Sequence, residues 1–352
     1  MLASTFISLQ GFWFALIGVL WAGFFVLEGF DFGVGMLGRM VGRDEAGRNA
    51  VLATIEPVWD GNEVWLIVAA GATFAAFPSW YATLFSGYYI VFFLILLGLI
   101  IRGVSIEFRL KHPSRRWRSI WDGGVLLGSA IPAFFFGLAF ANVIHGVPIG
   151  ANGEYSGGVL DLFGGFAVLG GFVSLAAFAF QGAVFLTLRT EGEVRGRARA
   201  AAILLAVPAL LLMLLILGWS AYDAGGVDGK WIAAAVLAAL AAVLLVSSLV
   251  LVVRDRDGLA FAASALALVS ATAMLFVALY PRLLVSSTDP RFSLTVASSS
   301  STHHTLALMA IVALIFTPIV LIYQGWTYWV FRARLRGEPL PGAAGSTSGN
   351  SV

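Results

Sequence analysis

Glu28 and Asp31 stand three residues apart in the apolar stretch LEGFDFGVG, a spacing that puts both carboxyls on one face of a helix. A second set follows in EPVWDGNEVW. There Glu56, Asp60 and Glu63 fall at i, i+4 and i+7 and are expected to form one stripe, with Pro57 in the first helical turn. A charged residue at mid-bilayer costs roughly 2.5–3.5 kcal/mol on insertion scales, so each acid within an apolar run is a functional candidate. Two neighbouring helices that bring carboxyls to the same depth, with water, offer what a proton-entry path requires. Arg102, with Glu107 and Arg109 close behind, ends a later apolar run and is the counter-ion candidate for one of these acids. Plainer readings stand beside these. Glu28 and Asp31 can be buried acids paired with an arginine for assembly only. Glu56 reads best as an acid favoured by a helix N-terminus, and Arg102 can be a simple membrane-edge anchor. Trp59 and Trp65 bracket Asp60 and Glu63 with bulky apolar surface, which favours a functional role for those two.

Other chemistries are less well supplied. The chain has no cysteine, which removes disulfides, thiolate metal sites, iron–sulfur clusters and thiol catalysis together. Of the four histidines, His112 falls in a loop, and His145, His303 and His304 fall at the ends of apolar runs. A haem held by two histidines within the bilayer needs two facing ligands at depth, so no haem or metal is expected to be ligated by this chain. No catalytic triad or phosphate-binding glycine loop occurs, and a net charge of +2 points to no nucleic-acid partner.

The elements that must position these residues are apolar throughout. The 352 residues are 60% hydrophobic and 11% charged, against about 25% charged in soluble domains. Apolar runs fall near 11–38, 54–77, 80–106, 121–144, 159–188, 200–222, 231–253, 259–281 and 303–331. Each is close to the ~20 residues that cross a ~30 Å hydrocarbon core. Backbone polar groups in lipid must be satisfied within the segment, so an all-α polytopic membrane protein of about nine transmembrane helices is expected. The forty glycines fit close helix contacts. Only Phe77-Pro78-Ser79-Trp80 separate the second and third runs, which predicts a tight antiparallel hairpin. The first ten residues lack Lys and Arg, so the first run is expected to be retained rather than cleaved as a signal. Residues 1–336 are read as one transmembrane domain, and 337–352, rich in Gly, Ser and Pro, as a disordered cytoplasmic tail.

Alternate loops carry eighteen of the 21 basic residues, and the opposite side holds only Lys230, Arg282 and Arg291. The positive-inside rule then places the C-terminus in the cytoplasm and the N-terminus outside. An odd number of spans keeps this segregation clean.

At GFDFGVGMLGR (29–39), WDGNEVWLIVAAGATFAAFPSWYA (59–82), FSGYY (85–89), WDGG (121–124), FQGAVFLTLRT (180–190), SSTDPRFSLTVASSS (286–300) and TPIVLIYQGWTYWVF (317–331) the chain resembles subunit II of the cytochrome bd-type quinol oxidases, including their cyanide-insensitive relatives. The similarity runs through nearly the whole chain outside the tail, and WDGNEVWL is its most specific part. The resemblance implies nine helices as two four-helix bundles plus one extra helix. It implies a heterodimer with a subunit I that carries haem b and haem d and oxidises quinol. It further implies that Asp60 lines a hydrophilic channel feeding protons to the partner's oxygen-reducing haem; Glu63, Asp31 and Glu28 are expected as further members of the path from their spacing alone. Trp65 matches a residue near the mouth of an oxygen route. The family can also hold a lipid or quinone in this subunit, and small single-helix accessory subunits are further partner candidates. The competing function is a proton- or cation-coupled secondary transporter. Such proteins often show internal repeats and broken mid-span helices, whereas here the acids lie off-centre and no clear repeat is found. A purely structural assembly partner is the third reading.

Overall fold

The computed structural model describes residues 8–223 and 229–336. Its first helix, α1 (Leu9–Val41), starts where Ser8 accepts a hydrogen bond from the Gly11 amide at 3.1 Å. At about 1.5 Å per residue its 33 residues exceed the hydrocarbon core, so its ends emerge from it. After a short helix, α2 (Glu45–Ala53), come α3 (Trp59–Ala76), α4 (Pro78–Gly87), α5 (Tyr89–Phe108) and α6 (Arg115–His145). The second half runs α7 (Gly165–Arg189), α8 (Gly192–Asp223), α9 (Gly229–Val253) and α10 (Asp257–Leu279). A two-stranded antiparallel hairpin follows, β1 (Arg282–Leu284) with β2 (Leu294–Thr295), then the single turn α11 (Val296–Ser299) and the last helix, α12 (His303–Val330).

Eight of these helices have the length and apolarity to cross a membrane. The ninth, α3, has 18 residues and so about 27 Å of rise, but opens with Asp60, Asn62 and Glu63. The described residues thus hold eight candidate spans with α3 beside them, and the all-α membrane architecture expected from hydropathy is found. The packing falls into two sets. In one, α1 packs on α3 and α6, and α5 on α6. In the other, α7, α8, α9 and α10 form a closed ring, with α10 returning to α7. The sets meet where α7 lies against α1 and α6, and α10 against α1. The last helix stands apart, resting on α1 and α3 and burying a single residue, Leu306.

Glycine sets the closest approach. A Cβ on Gly33 would lie 2.0 Å from the Phe178 carbonyl oxygen and 2.7 Å from the Gly182 Cα, and one on Gly182 would lie 2.3 Å from the Gly33 carbonyl carbon. Helices α1 and α7 thus cross backbone to backbone half a turn from Asp31.

Ion pairs gather the basic loops at one end of the bundle. Asp122 at the start of α6 takes Arg109 at 2.5 Å and Arg48 of α2 at 3.2 Å. Asp257 at the start of α10 takes Arg195 at 3.0 Å and Arg334 at 2.9 Å, and Glu191 takes Arg336 at 2.7 Å. Asp44 and Gly47 stand beside Glu191, Arg197 and Arg336 around a cavity of about 420 Å³, which joins the two groups of loops. Between α9 and α10, Asp255 turns the chain at φ 57°, a conformation Asp tolerates, and a hydrogen bond from Arg195 holds its carboxyl below the usual carboxylate range. The opposite end is built from 146–164 and 280–302, joined by the Val147–Ser286 bridge.

Several local expectations are corrected. The second and third runs make no tight hairpin: ten residues that hydropathy merged with the third run form the separate helix α4, which Tyr88 divides from α5. Proline at position 78 cannot extend α3 but suits the first turn of a new helix. Pro57 is not in the first turn of α3, which begins at Trp59, and the expected stripe loses Glu56, which lies exposed in the preceding turn. The tail expected at 337–352 lies outside the described residues.

Candidate functional site

Arg102 organises the site. It sits on α5 where α6 approaches most closely: a Cβ on Gly128 would fall 2.6 Å from the Arg102 amide nitrogen. The side chain has no solvent exposure. Its guanidinium forms an ion pair with Glu28 of α1 and another with Glu63 of α3 at 2.6 Å, and lies 4.8 Å from the centre of the Phe32 ring. Both Glu28 and Asp31 are fully buried. Asp31 turns the other way, and its Oδ2 accepts a hydrogen bond from Asn62 Nδ2 at 2.7 Å. Asn62 Oδ1 accepts in turn from the Tyr328 hydroxyl at 2.7 Å and from Gln324 Nε2 at 3.1 Å. Trp65 Nε1 donates to Gln324 Oε1 at 2.7 Å.

Two carboxyls therefore pair with one guanidinium, a permanent cation, and a third, Asp31, stands nearby on α1. Such a site holds more acid groups than its cation balances, which is what a site that takes up and passes on protons requires. Glu28 lies about 13 residues, or roughly 20 Å of helix, from the basic end of α1, so the cluster is within the spans and off-centre. Asp60 does not join it. It is exposed, one turn nearer the basic end than Glu63, and borders a groove of about 1190 Å³ between α1, α3 and α12. Asn62, Trp65, Gln324 and Tyr328 line the same groove, and Glu56 and Glu107 add carboxyls to its wall. Glu63, one turn further along α3, pairs with Arg102 behind the groove wall, and Asp31 is reached from the groove through Asn62.

The sequence reading placed Glu28, Asp31, Glu63 and Arg102 as candidates, and the fold brings those four together. It missed Asn62, Gln324 and Tyr328. A signal was present: polar side chains in otherwise apolar spans, in WDGNEVW and IYQGWTYW. It also missed the fully enclosed Arg109, whose Asp122 partner stands in WDGG.

A haem would need axial donors at depth. His112 and the adjacent pair His303 and His304 are exposed at helix ends, and His145 ends α6 with its ring stacked on Phe166 at 4.6 Å. No two of them face each other across a span, so the histidines of this chain do not fit a bis-histidine haem within the bilayer.

Fold and site together define a polytopic helical membrane protein with a buried carboxyl–arginine cluster within its helices. The chain belongs to the cytochrome bd terminal oxidase subunit II family, whose model it matches over residues 9–331. It is 41% identical over 335 residues to the cytochrome bd ubiquinol oxidase subunit 2 of Bacillus subtilis (strain 168), covering 95% of this chain and 99% of that one. It is 35% identical over 368 residues to the cytochrome bd-I ubiquinol oxidase subunit 2 of Escherichia coli (strain K12), covering 94% and 96%. The fold is like that in a structure of bd oxidase from Geobacillus thermodenitrificans, with a TM-score of 0.69, 19% identity, and coverage of 90% of this chain and 98% of that one. These relatives are oxidase subunits, and the transporter reading is set aside.

Proposed function

We propose that this chain is subunit II of a membrane quinol:O2 oxidoreductase that generates a proton motive force, and that it supplies scaffold and a proton route to haems held by its partner. In this reading subunit I carries haem b and haem d and draws electrons from the quinol pool. The basic end of the bundle faces the cytoplasm and the N-terminus lies outside, in keeping with the loops that carry eighteen of the 21 basic residues. Protons enter at Asp60, pass to Glu63 and reach Glu28 beside Arg102, with Asp31 as a neighbouring acceptor. The observation that carries this reading is that Asp60 borders an exposed groove one helical turn from Glu63, which pairs with the fully buried Arg102 beside Glu28. Trp65, on the groove wall, is proposed at the mouth of the oxygen route. The exposed apolar surface of α12 must be covered by lipid, by subunit I or by a small accessory helix, since exposed apolar faces of this size mark interaction sites. A lipid or quinone is a further ligand candidate.

The test is Asp60→Asn in the purified two-subunit complex. The substitution keeps the side chain's size and removes its exchangeable proton. Quinol-driven oxygen consumption is expected to fall by roughly tenfold or more, the scale of losing one well-placed proton-transfer group, while haem content stays normal. Normal turnover with normal haem removes Asp60 from the path, and joint loss of haem and assembled complex makes it an assembly residue.

A further inference from the structure

Trp65 stands beside the carboxyl cluster without an ion or hydrogen bond to any of its carboxyls, yet it heads a row of hydrogen bonds that ends at one of them. The row runs from Trp65 Nε1 to Gln324 Oε1 at 2.7 Å, from Gln324 Nε2 to Asn62 Oδ1 at 3.1 Å, and from Asn62 Nδ2 to Asp31 Oδ2 at 2.7 Å. An indole nitrogen only donates, whereas a primary amide offers an acceptor at one end and donors at the other. The sense of the row follows from that asymmetry. The indole makes Gln324 turn its oxygen toward α3. The Gln324 nitrogen then faces Asn62, which must turn its oxygen to meet it. The nitrogen left over on Asn62 faces Asp31. Half a turn of either amide would place oxygen against oxygen. The indole itself is anchored: Gly23 of α1 leaves the space its ring fills, since a Cβ there would lie 2.2 Å from Trp65 Cζ3.

We infer that Trp65 and Gln324 are positioning residues for Asp31: the indole N–H sets the direction of a hydrogen-bond row that keeps a donor on one Asp31 oxygen. The inference rests on the proton-transfer reading above. It gives Trp65 a task separate from lining a gas route. It also makes α12, which buries only Leu306, a contributor to the cluster through Gln324. Tyr328 supports the same sense by donating to Asn62 Oδ1 at 2.7 Å, but the row stays directed without it.

The experiment uses the purified two-subunit complex with Trp65→Phe, which keeps an aromatic ring and removes the donor, Gln324→Leu, their double variant, and Tyr328→Phe. Trp65→Phe and Gln324→Leu should each lower turnover at saturating oxygen roughly two- to tenfold, the range a hydrogen bond to a reacting group supplies. Phenylalanine keeps the aromatic wall of the groove, so the KM for oxygen should not change, and neither should the haem content. The double variant should be no slower than the slower single one, because both break the same row. Tyr328→Phe should be milder than Trp65→Phe. A raised KM for oxygen with unchanged kcat in Trp65→Phe would return the residue to the gas route and overturn the inference. Multiplied effects in the double variant, Tyr328→Phe as slow as Trp65→Phe, or haem loss in Trp65→Phe would overturn it too. Full turnover in Trp65→Phe alongside slow Asp60→Asn sinks the inference alone; full turnover in both Asp60→Asn and Glu28→Gln sinks the proton-transfer reading beneath it.

Discussion

Replacing Arg102 by glutamine removes the guanidinium from a cluster of three carboxyls. Arg102 and Glu28 have no exposed side-chain surface, and Glu63 keeps 24%. Breaking a buried ion pair by removing one partner costs about 3–5 kcal/mol. Two carboxylates lose their partner here, and insertion scales assign roughly 2.5–3.5 kcal/mol to each uncompensated charge at mid-span. Both routes give a loss of at least about 3 kcal/mol, a large share of the 5–15 kcal/mol that holds a typical domain. Arg102→Gln should therefore yield little assembled complex, read as haem per unit of purified protein and as thermal unfolding in detergent. The triple variant Glu28→Gln, Arg102→Gln, Glu63→Gln removes every charge of the Arg102 ion pairs together and leaves amides that can hydrogen-bond one another. It should recover assembly but not turnover. A single variant with normal yield and normal unfolding temperature would show that Arg102 does not balance these acids. A triple variant with normal turnover would show that they carry no protons.

Gly33→Ala pushes a methyl into the Phe178 carbonyl and the Gly182 backbone, so α1 and α7 must separate. Overpacking of this kind costs about 1–3 kcal/mol; a lower unfolding temperature is expected, with Gly38→Ala, where no atom lies within 4 Å of the added carbon, as the neutral control. Cysteine placed at Arg115 should be labelled by an impermeant reagent from the cytoplasmic side only, and cysteine at the exposed Ser287 from outside only; the reverse pattern inverts the topology. In the loop at 286–295, hydrogen bonds from Arg291 hold the Asp289 carboxyl below the usual carboxylate range. A carboxyl so lowered adds to the folded loop above its ordinary range, about 3.9 for Asp, and gives that up only as pH falls through its own lower value. Amide exchange at 286–295 should thus stay slow down to that range and quicken only below it.

Membrane insertion and the all-α architecture were legible in the chain because hydropathy and charge are properties of position along it. A run near twenty apolar residues must cross a bilayer whatever its neighbours do, and a loop's basic residues bias its side without reference to the fold. The segregation of basic loops to one end needed nothing more. Breaks within an apolar run were harder to read. The division between α4 and α5 at Tyr88 leaves no mark in hydropathy, and Glu56 was counted into a stripe because its spacing fits a helix that starts three residues later. Pairing was legible only as far as Arg102 serving one of the acids; which acids it meets was not. Arg102 lies 39 residues from Glu63, and Tyr328 lies 266 from Asn62. Glycine contacts such as that of Gly33 with Gly182 bring α1 against α7, and Gly128 brings α5 against α6. Those crossings decide which acid meets the arginine and leave Asp60 outside in the groove. The direction of the Trp65 row was equally hidden, because an amide acquires a sense only when a donor-only neighbour on another helix meets one of its ends.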